Sequence, residues 1–307
     1  MRARTAECLA TVGRWWFRYG PGELGRPLSA ARGLNAHLRD CPRRQVVRTW
    51  FGARFVVDTE DLIQRYLYLF GVWEPHLTRW LQRRLRPGDT FVDVGANVGY
   101  FSLLASQLVG EHGAVVAVEA SPAFHRKLVE HARINGCCNI RAARVAVSDA
   151  RRELTFVLAS HRNLGANSIV PYDGSAESTF TAEARPLAEV LTPPEVVNAR
   201  VLKIDVEGAE GSVVRGMVPL LDRLRDDAEI TVEVSPERMW QLGDCADELL
   251  ATMREHGFHV YRIANDYRPE SYPGALHGPY RAPVRWRGPV DEECDLVFSR
   301  MDAETLP

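Results

Sequence analysis

The thirteen residues Thr90-Phe-Val-Asp-Val-Gly-Ala-Asn-Val-Gly-Tyr-Phe-Ser102 constrain the fold of this chain more than any other stretch. Phe91 to Val94 read as a buried strand that ends around a carboxylate, Asp93. Gly95, Asn97 and Gly99 then form a tight loop of small residues. From Tyr100 the period becomes helical, with Phe101, Leu104, Leu108 and Val109 along one side and Gly110 as the stop. A strand, a glycine loop and a helix start form a pocket for a nucleotide-like ligand. The glycines admit close backbone approach, and the first helical N–H groups favour an anionic group. An ordinary βα turn shares this pattern, so a second signal is needed.

Val115-Val-Ala-Val-Glu119 supplies it, as a second buried strand ending in an acid. Glu119 lies about 20 positions after Gly99, where a carboxylate grips both hydroxyls of a ribose. A nicotinamide site uses G-x-G-x-x-G, whose middle glycine lets a pyrophosphate touch the backbone. Here Asn97 stands between the glycines and Asp93 precedes them. An acid at that strand end repels a pyrophosphate and suits a ligand carrying an ammonium and a sulfonium. S-adenosylmethionine is therefore favoured over NAD.

A chain of 307 residues buries a large core, as one elaborated domain or two. Its formal net charge of −2 gives no reason to expect nucleic acid or an anionic membrane as the main partner. The six cysteines form no C-x-x-C pair, and adjacent Cys137 and Cys138 build no disulfide framework, so reduced thiols are expected. No apolar run reaches the length of a membrane span, and Met1-Arg-Ala-Arg4 is followed by no signal-peptide core. A soluble, cytoplasmic protein is the expectation.

Residues 1–45 are rich in Arg and Gly and carry the aromatic cluster Trp15-Trp16-Phe17-Tyr19, with a break at Gly20-Pro-Gly22. This arm suits packing, a dimer contact or a substrate lid. Val46-Val47 and Phe55-Val56-Val57 predict a hairpin, Asp58 or Thr59 a helix cap, and Pro75 the start of a second helix. Ser121-Pro122 opens a helix that Asn135-Gly136 closes. Ile140–Val147 predicts a third strand, Glu153–Leu158 an added one, and residues 159–178 a polar loop with Asn163, Asn167 and Ser168. Val201–Val206, Glu229–Val234, Phe258–Ile263 and Asp295–Ser299 complete the strands. The 264–293 loop between the last two is aromatic-dotted and long enough to cap a substrate. Alternating elements predict a doubly wound, mostly parallel sheet, with an antiparallel hairpin at one edge. Residues 1–88 are expected as an N-terminal arm, hairpin and helical cap, and 89–307 as the cofactor-binding domain.

Asp93-Val-Gly-Ala-Asn-Val-Gly99, Glu119-Ala-Ser-Pro122, Ala146-Val-Ser-Asp149 and Lys203-Ile-Asp-Val-Glu-Gly-Ala-Glu210 together resemble the FkbM-like methyltransferases. Gly71-Val-Trp-Glu74 also fits that pattern, and the match runs from about residue 48 to 300. The resemblance implies a class I, Rossmann-like α/β fold with a seven-stranded sheet and an N-terminal helical extension. It implies O-methylation of natural products, sugars or lipid-linked molecules, with S-adenosylhomocysteine as the second product. The expected partner is a small-molecule acceptor, with no nucleic acid and no transmembrane segment, and the N-terminal arm offers one route to a homo-oligomer.

On that resemblance Gly95, Asn97 and Gly99 line the methionine half of the cofactor and Asp93 holds its ammonium. Glu119, followed by Ala120, takes the ribose. Ala146, Val147, Ser148 and Asp149 border the adenine, with Ser148 or Asp149 reaching its amine. Glu74 either enters the pocket or is a solvated helix end. Lys203, Asp205 and Glu207 alternate to one side of a strand whose end lies beside the transferring methyl. They are the catalytic candidates, with Asp205 also touching cofactor. A Lys–carboxylate pair, or helix capping by Glu207 or Glu210, is the structural alternative. Asp205 and Glu233 are a divalent-metal alternative to a metal-free base. The histidines show no ligand spacing; His161 and His277 are the ones in loops able to face a substrate, and a lone loop histidine is more often solvent-exposed than catalytic. A nicotinamide oxidoreductase and an inactive cofactor-binding module remain the rival classes.

Overall fold

Capping residues and apolar periods set the elements, and the computed structural model describes residues 2–19, 28–158, 167–168 and 178–307. The chain begins with α1 (Arg2–Tyr19), α2 (Leu28–Asp40), the hairpin β1 (Arg44–Arg48) and β2 (Arg54–Asp58), then α3 (Leu62–Leu69) and α4 (Pro75–Arg84). Next come β3 (Thr90–Val94), α5 (Tyr100–Val109), β4 (Ala114–Val118), α6 (Pro122–Ile134), β5 (Ile140–Ala143) and β6 (Ala146–Val147). They are followed by β7 (Arg152–Leu158), β8 (Asn167–Ser168), β9 (Ser178–Arg185), α7 (Leu187–Val190), α8 (Pro193–Val197) and β10 (Ala199–Ile204). The last are α9 (Glu210–Leu221), β11 (Glu229–Val234), α10 (Pro236–Gln241), α11 (Ala246–Glu255), β12 (His259–Ile263), α12 (Tyr272–His277), β13 (Val284–Arg285) and β14 (Cys294–Ser299). Two compact units result: one gathers the chain up to Arg79 together with 265–281, and the other starts at Trp80.

In the first unit, β1 and β2 pair antiparallel with Val46 opposite Val56, and Val47, Phe55 and Val57 are buried. The cap of α3 is Asp61, whose carboxylate accepts from the Gln64 N–H, and not Asp58 or Thr59. The Thr59 hydroxyl is already committed, donating to the Leu38 carbonyl and accepting from Arg43 N. Asp58 is engaged by Arg44 and by Glu60 N. Edge and stacked contacts join Tyr66, Phe70, Trp73, Tyr267 and Tyr272; Tyr66 and Tyr272 centroids lie 4.7 Å apart. Aromatic pairs of this kind are worth about 0.5–1.5 kcal/mol beyond their buried area. They hold 265–281 against α3, so the expected 264–293 loop is partly ordered as α12 and β13. The break at Gly20-Pro-Gly22 lies outside the described residues.

The second unit is the expected α/β layer structure. Its sheet runs β13-β12-β14-β11-β10-β3-β4-β5, parallel from β11 to β5 and antiparallel around β14. The count is eight where seven were expected, because two residues of the 264–293 segment add β13 to the edge. From β3 the chain winds outward through β4 and β5, then returns to β10 on the other side of β3. That reversal puts a crevice beyond the carboxyl ends of β3 and β10, where ligands of open α/β sheets bind. Val92, Val116, Leu202, Ile230 and Val232 fill the layer beneath with Val213, Met217 and Leu220 of α9. Each such side chain contributes about 1.5–3 kcal/mol when fully buried.

One strand expectation is corrected. The segment 140–147 is not one strand: the Glu119 N–H bonds Ala143 O at the end of β5, while Ser148 N bonds Arg185 O of β9. The sequence therefore divides between two sheets. The added strand expected at 153–158 is present as β7 and belongs to a second sheet, in the order β6-β9-β7-β8. Its partner β9, Ser178-Thr-Phe-Thr-Ala-Glu-Ala-Arg185, was not read from the sequence, although it alternates with a strand's period. Phe156 opposite Phe180, stacked at 4.9 Å, fixes the register. Asn163 and His161 lie outside the described residues; Asn167 and Ser168 form β8. The described cysteines Cys41, Cys137, Cys138, Cys245 and Cys294 form no disulfide.

Candidate functional site

The ends of β3 and β10 are locked together by a glycine. Asp205 N donates to Val94 O (3.0 Å), continuing the parallel ladder one residue past β10. A Cβ built on Gly95 would strike the Asp205 carbonyl oxygen, and Gly95 has φ +81°. Only glycine meets both conditions. Gly99, with φ +87°, is closed to a side chain by Leu128 of α6, so its absence of a Cβ serves packing of α6 against the loop.

The register sets Lys203 directly across from Asp93. The Lys203 ammonium is 4% exposed, donates to Asp205 Oδ2 at 2.8 Å and sits 5.2 Å from the centre of the Phe101 ring. Glu233, in β11, hydrogen-bonds Asp205 as well. Burial opposes ionisation of Asp205, but Lys203, the Glu233 hydrogen bond and Arg238 outweigh it and hold the carboxyl below the usual range. Its side chain stays 23% exposed. Asp93 goes the other way. Burial raises its pKa against the pull of Lys203 and of the Ser102 hydroxyl, which donates to Oδ2 at 2.5 Å. Asp93 Oδ1 is buried and has no hydrogen-bond partner.

Glu119 closes the loop from the β4 side. Asn97 N donates to Oε2 at 2.8 Å and Ser121 N to Oε1 at 2.7 Å. Burial pushes this carboxyl up to about 7 despite both donors. Asn97 takes φ +50°, and its side-chain oxygen accepts from Val98 N, the local bond that makes asparagine tolerable there. His131, fully buried on α6, bonds Val98 O through Nδ1 at 2.8 Å. Ser102, Ser121 and His131 support the loop, a role the sequence did not assign to any of them. Ser102 and His131 lie on helices, and only Ser121 carried a signal, as a helix cap.

The segment after β5 is tied to α9. Ser148 is 2% exposed and meets the Ser212 hydroxyl at 3.0 Å, while Arg152 donates to Ser148 and Asp149. Asp149, also reached by Arg215, is held below the usual carboxylate range: burial raises it, and Arg152 and Arg215 outweigh that. Ala146 and Val147 pair with β9 and are buried. Ala120 follows Glu119 at the strand end, partly exposed.

Glu207 has φ +57° and is bound by Arg238 of α10. Glu210 is 1% exposed; its Oε1 accepts from Gly208 N at 2.9 Å and Val206 N at 3.4 Å, and its Oε2 has no partner. Burial pushes it up to about 7. Of the two capping candidates, Glu210 is the one whose carboxylate gathers the loop's N–H groups.

In the first unit, Glu74 is 2% exposed with φ +41°, which removes the solvated-helix-end alternative. Its N–H meets the Tyr272 hydroxyl, and Asn265 donates to its Oε2. His277 bonds Phe17 O.

S-adenosylmethionine offers an ammonium, a sulfonium and a ribose diol. The crevice offers an unpartnered buried carboxylate oxygen on Asp93 and a carboxyl on Glu119 with one lone pair left on each oxygen. The Lys203 ammonium nearby donates to Asp205 and leaves Asp93 Oδ1 unfilled, so these acceptors fit such a ligand and oppose a pyrophosphate.

Comparison with known proteins accords with this chemistry. Residues 93–260 match the family model described as the methyltransferase FkbM domain. The chain is 26% identical over 221 residues to hexuronic acid methyltransferase AglP of Haloferax volcanii, covering 70% of this chain and 87% of the relative. It is 28% identical over 206 residues to the 31-O-demethyl-FK506 methyltransferase FkbM of Streptomyces tacrolimicus, covering 57% and 75%. The solved methyltransferase FkbM of Methylobacillus flagellatus KT aligns with 77% of this chain and 52% of its own, at 14% identity and a TM-score of 0.39.

Proposed function

Because this chain belongs to the FkbM methyltransferase family, and is thereby an S-adenosylmethionine-dependent methyltransferase, we propose that it methylates a hydroxyl of a small or medium metabolite. The acceptor class is a sugar or natural-product alcohol, as the names of the two relatives suggest. Asp93 would hold the cofactor's ammonium, Glu119 its ribose hydroxyls, and the Gly95–Gly99 loop its methionine half. Ala120 and the Ala146–Ser148 segment would border the nucleoside. When bound, the cofactor supplies an electrophilic methyl group on sulfur.

One observation carries the reading of the chemistry: Asp205 is ionised, partly open to solvent and fixed at the crevice by Lys203. Asp205 would accept the acceptor hydroxyl's hydrogen bond and aim its lone pair. As the C–O bond forms, that oxygen becomes strongly acidic, so a weak base is enough, and Asp205 would take the proton. Lys203 keeps Asp205 charged and in place, and Glu207, neutralised by Arg238, would shape the loop. The ammonium on Asp205 also favours a metal-free reaction over a cation shared by Asp205 and Glu233.

The test is transfer of a labelled methyl group to a panel of uronic acids and macrolide alcohols. Asp205→Asn should lower turnover about 10²–10⁴-fold with cofactor affinity retained, and EDTA should change nothing. Loss of activity in EDTA with recovery on magnesium would instead establish the metal route.

A further inference from the structure

The first 58 residues differ in charge from the rest of the chain. They hold eleven arginines against four acids, so the negative excess lies entirely beyond them. Charge segregation of this size marks a surface built for a polyanion or an anionic membrane.

The same segment holds six of the eleven large apolar side chains exposed among the described residues. Val12, Trp15 and Tyr19 are 63%, 56% and 67% exposed and recur at three and four residues, along one stripe of α1. On the hairpin, the outward face presents Val46 opposite Val56 and Arg48 opposite Arg54, with Trp50 exposed in the turn. Arg48 and Arg54 thus set two guanidinium groups across from one another beside the two valines. Arg18 joins the two elements: it donates to Arg48 O at 2.7 Å, and its guanidinium lies against Gly71, whose carbonyl accepts from Trp50 N. Tyr19 and the hairpin turn are therefore at one end of this unit.

We propose that α1 and the β1–β2 hairpin form a docking surface for an anionic lipid bilayer, with Trp15, Tyr19 and Trp50 at the headgroup level. Indole and phenol rings beside arginines are the side chains that settle at a membrane interface. The exposed valines favour lipid over RNA, since an aliphatic side chain neither stacks on a base nor contacts a phosphate. A two-fold contact with a second copy would bring Arg48 and Arg54 against their own images, which opposes self-association. No described helix is long and apolar enough to cross a membrane, so the attachment is peripheral.

The test is flotation of the full chain with vesicles of phosphatidylcholine, alone or with about one third phosphatidylglycerol. The chain should float with the anionic vesicles only, and high salt should release it. Val46→Ser/Trp50→Ser and Arg48→Glu/Arg54→Glu should each reduce the floated fraction roughly tenfold. Both pairs are exposed, so circular dichroism and Tm should be unchanged. If the wild type fails to float, or both variants float like it, the proposal is overturned. It is equally overturned if the variants instead dissociate a dimer in sedimentation, or abolish a mobility shift of bulk tRNA that vesicles do not compete.

Discussion

Asp93 and Asp205 share one lysine and shift in opposite directions: burial raises both, but Lys203 donates a hydrogen bond directly to Asp205, and Glu233 and Arg238 add to its pull. The pair thereby divides into a buried acceptor awaiting a cation and an ionised, accessible carboxylate. Glu119 is a third case, held near 7 by burial and oriented by two backbone donors. Glu119→Ala should weaken S-adenosylmethionine binding by roughly 1–3 kcal/mol, measured by calorimetry. An unchanged dissociation constant in the folded variant would remove Glu119 from the site. In the wild type, protonated Glu119 loses acceptor capacity for the ribose diol. Cofactor affinity should therefore fall as pH drops through about 7, while turnover at saturation holds until Asp205 protonates below the usual carboxylate range. The strand-end acids were legible in the sequence because alternation and loop position locate them. Their opposite shifts were not, since they depend on which carboxylate a lysine two residues away reaches and on Glu233 and Arg238.

At the scale of elements, the loop from Asp205 to Ala209 is shaped by Glu210, which opens α9 and accepts two of the loop's N–H groups. Glu207 and Gly208 sit at positive φ on that turn, a strained path that needs an internal anchor. Glu210→Ala should cut turnover about tenfold or more by misplacing Asp205, with Glu210→Gln recovering most of it because an amide oxygen still accepts. Equal loss in both variants would assign Glu210 a role beyond holding the loop. The sequence showed β3, β4 and β10 as mostly apolar runs and β11 by its alternation. It obscured the split of 140–147, where pairing with a distant polar strand overrides local pattern; β9 was not read from it, although it alternates with a strand's period. Asp61 was passed over as the α3 cap because Asp58 and Thr59 are equally good cap types, and their tertiary partners decided the outcome. Ser102 and His131 carried no linear signal of contact with the loop.

Across the whole molecule, Glu119 and Glu210 are both raised to about 7 from 4.5. Between those values the folded state binds protons that the unfolded chain has released, so stability falls as pH rises from about 4.5 to 7 and then levels. Thermal denaturation of the ligand-free protein should show that decline, and a Glu119→Gln/Glu210→Gln double variant should flatten it; an unchanged slope would place the missing protons elsewhere. Bound S-adenosylmethionine should add stability by mass action, most at the high-pH end, where Glu119 is ionised. On the proposed function, the crevice past β3 and β10 takes a cationic nucleoside and rejects a pyrophosphate. Calorimetric titration of the protein at pH 8 distinguishes the two. Saturable binding of S-adenosylmethionine and S-adenosylhomocysteine is expected, lost in Asp93→Ala, with no heat from NAD. Binding of NAD in place of S-adenosylmethionine, or equal affinity in Asp93→Ala, would contradict it.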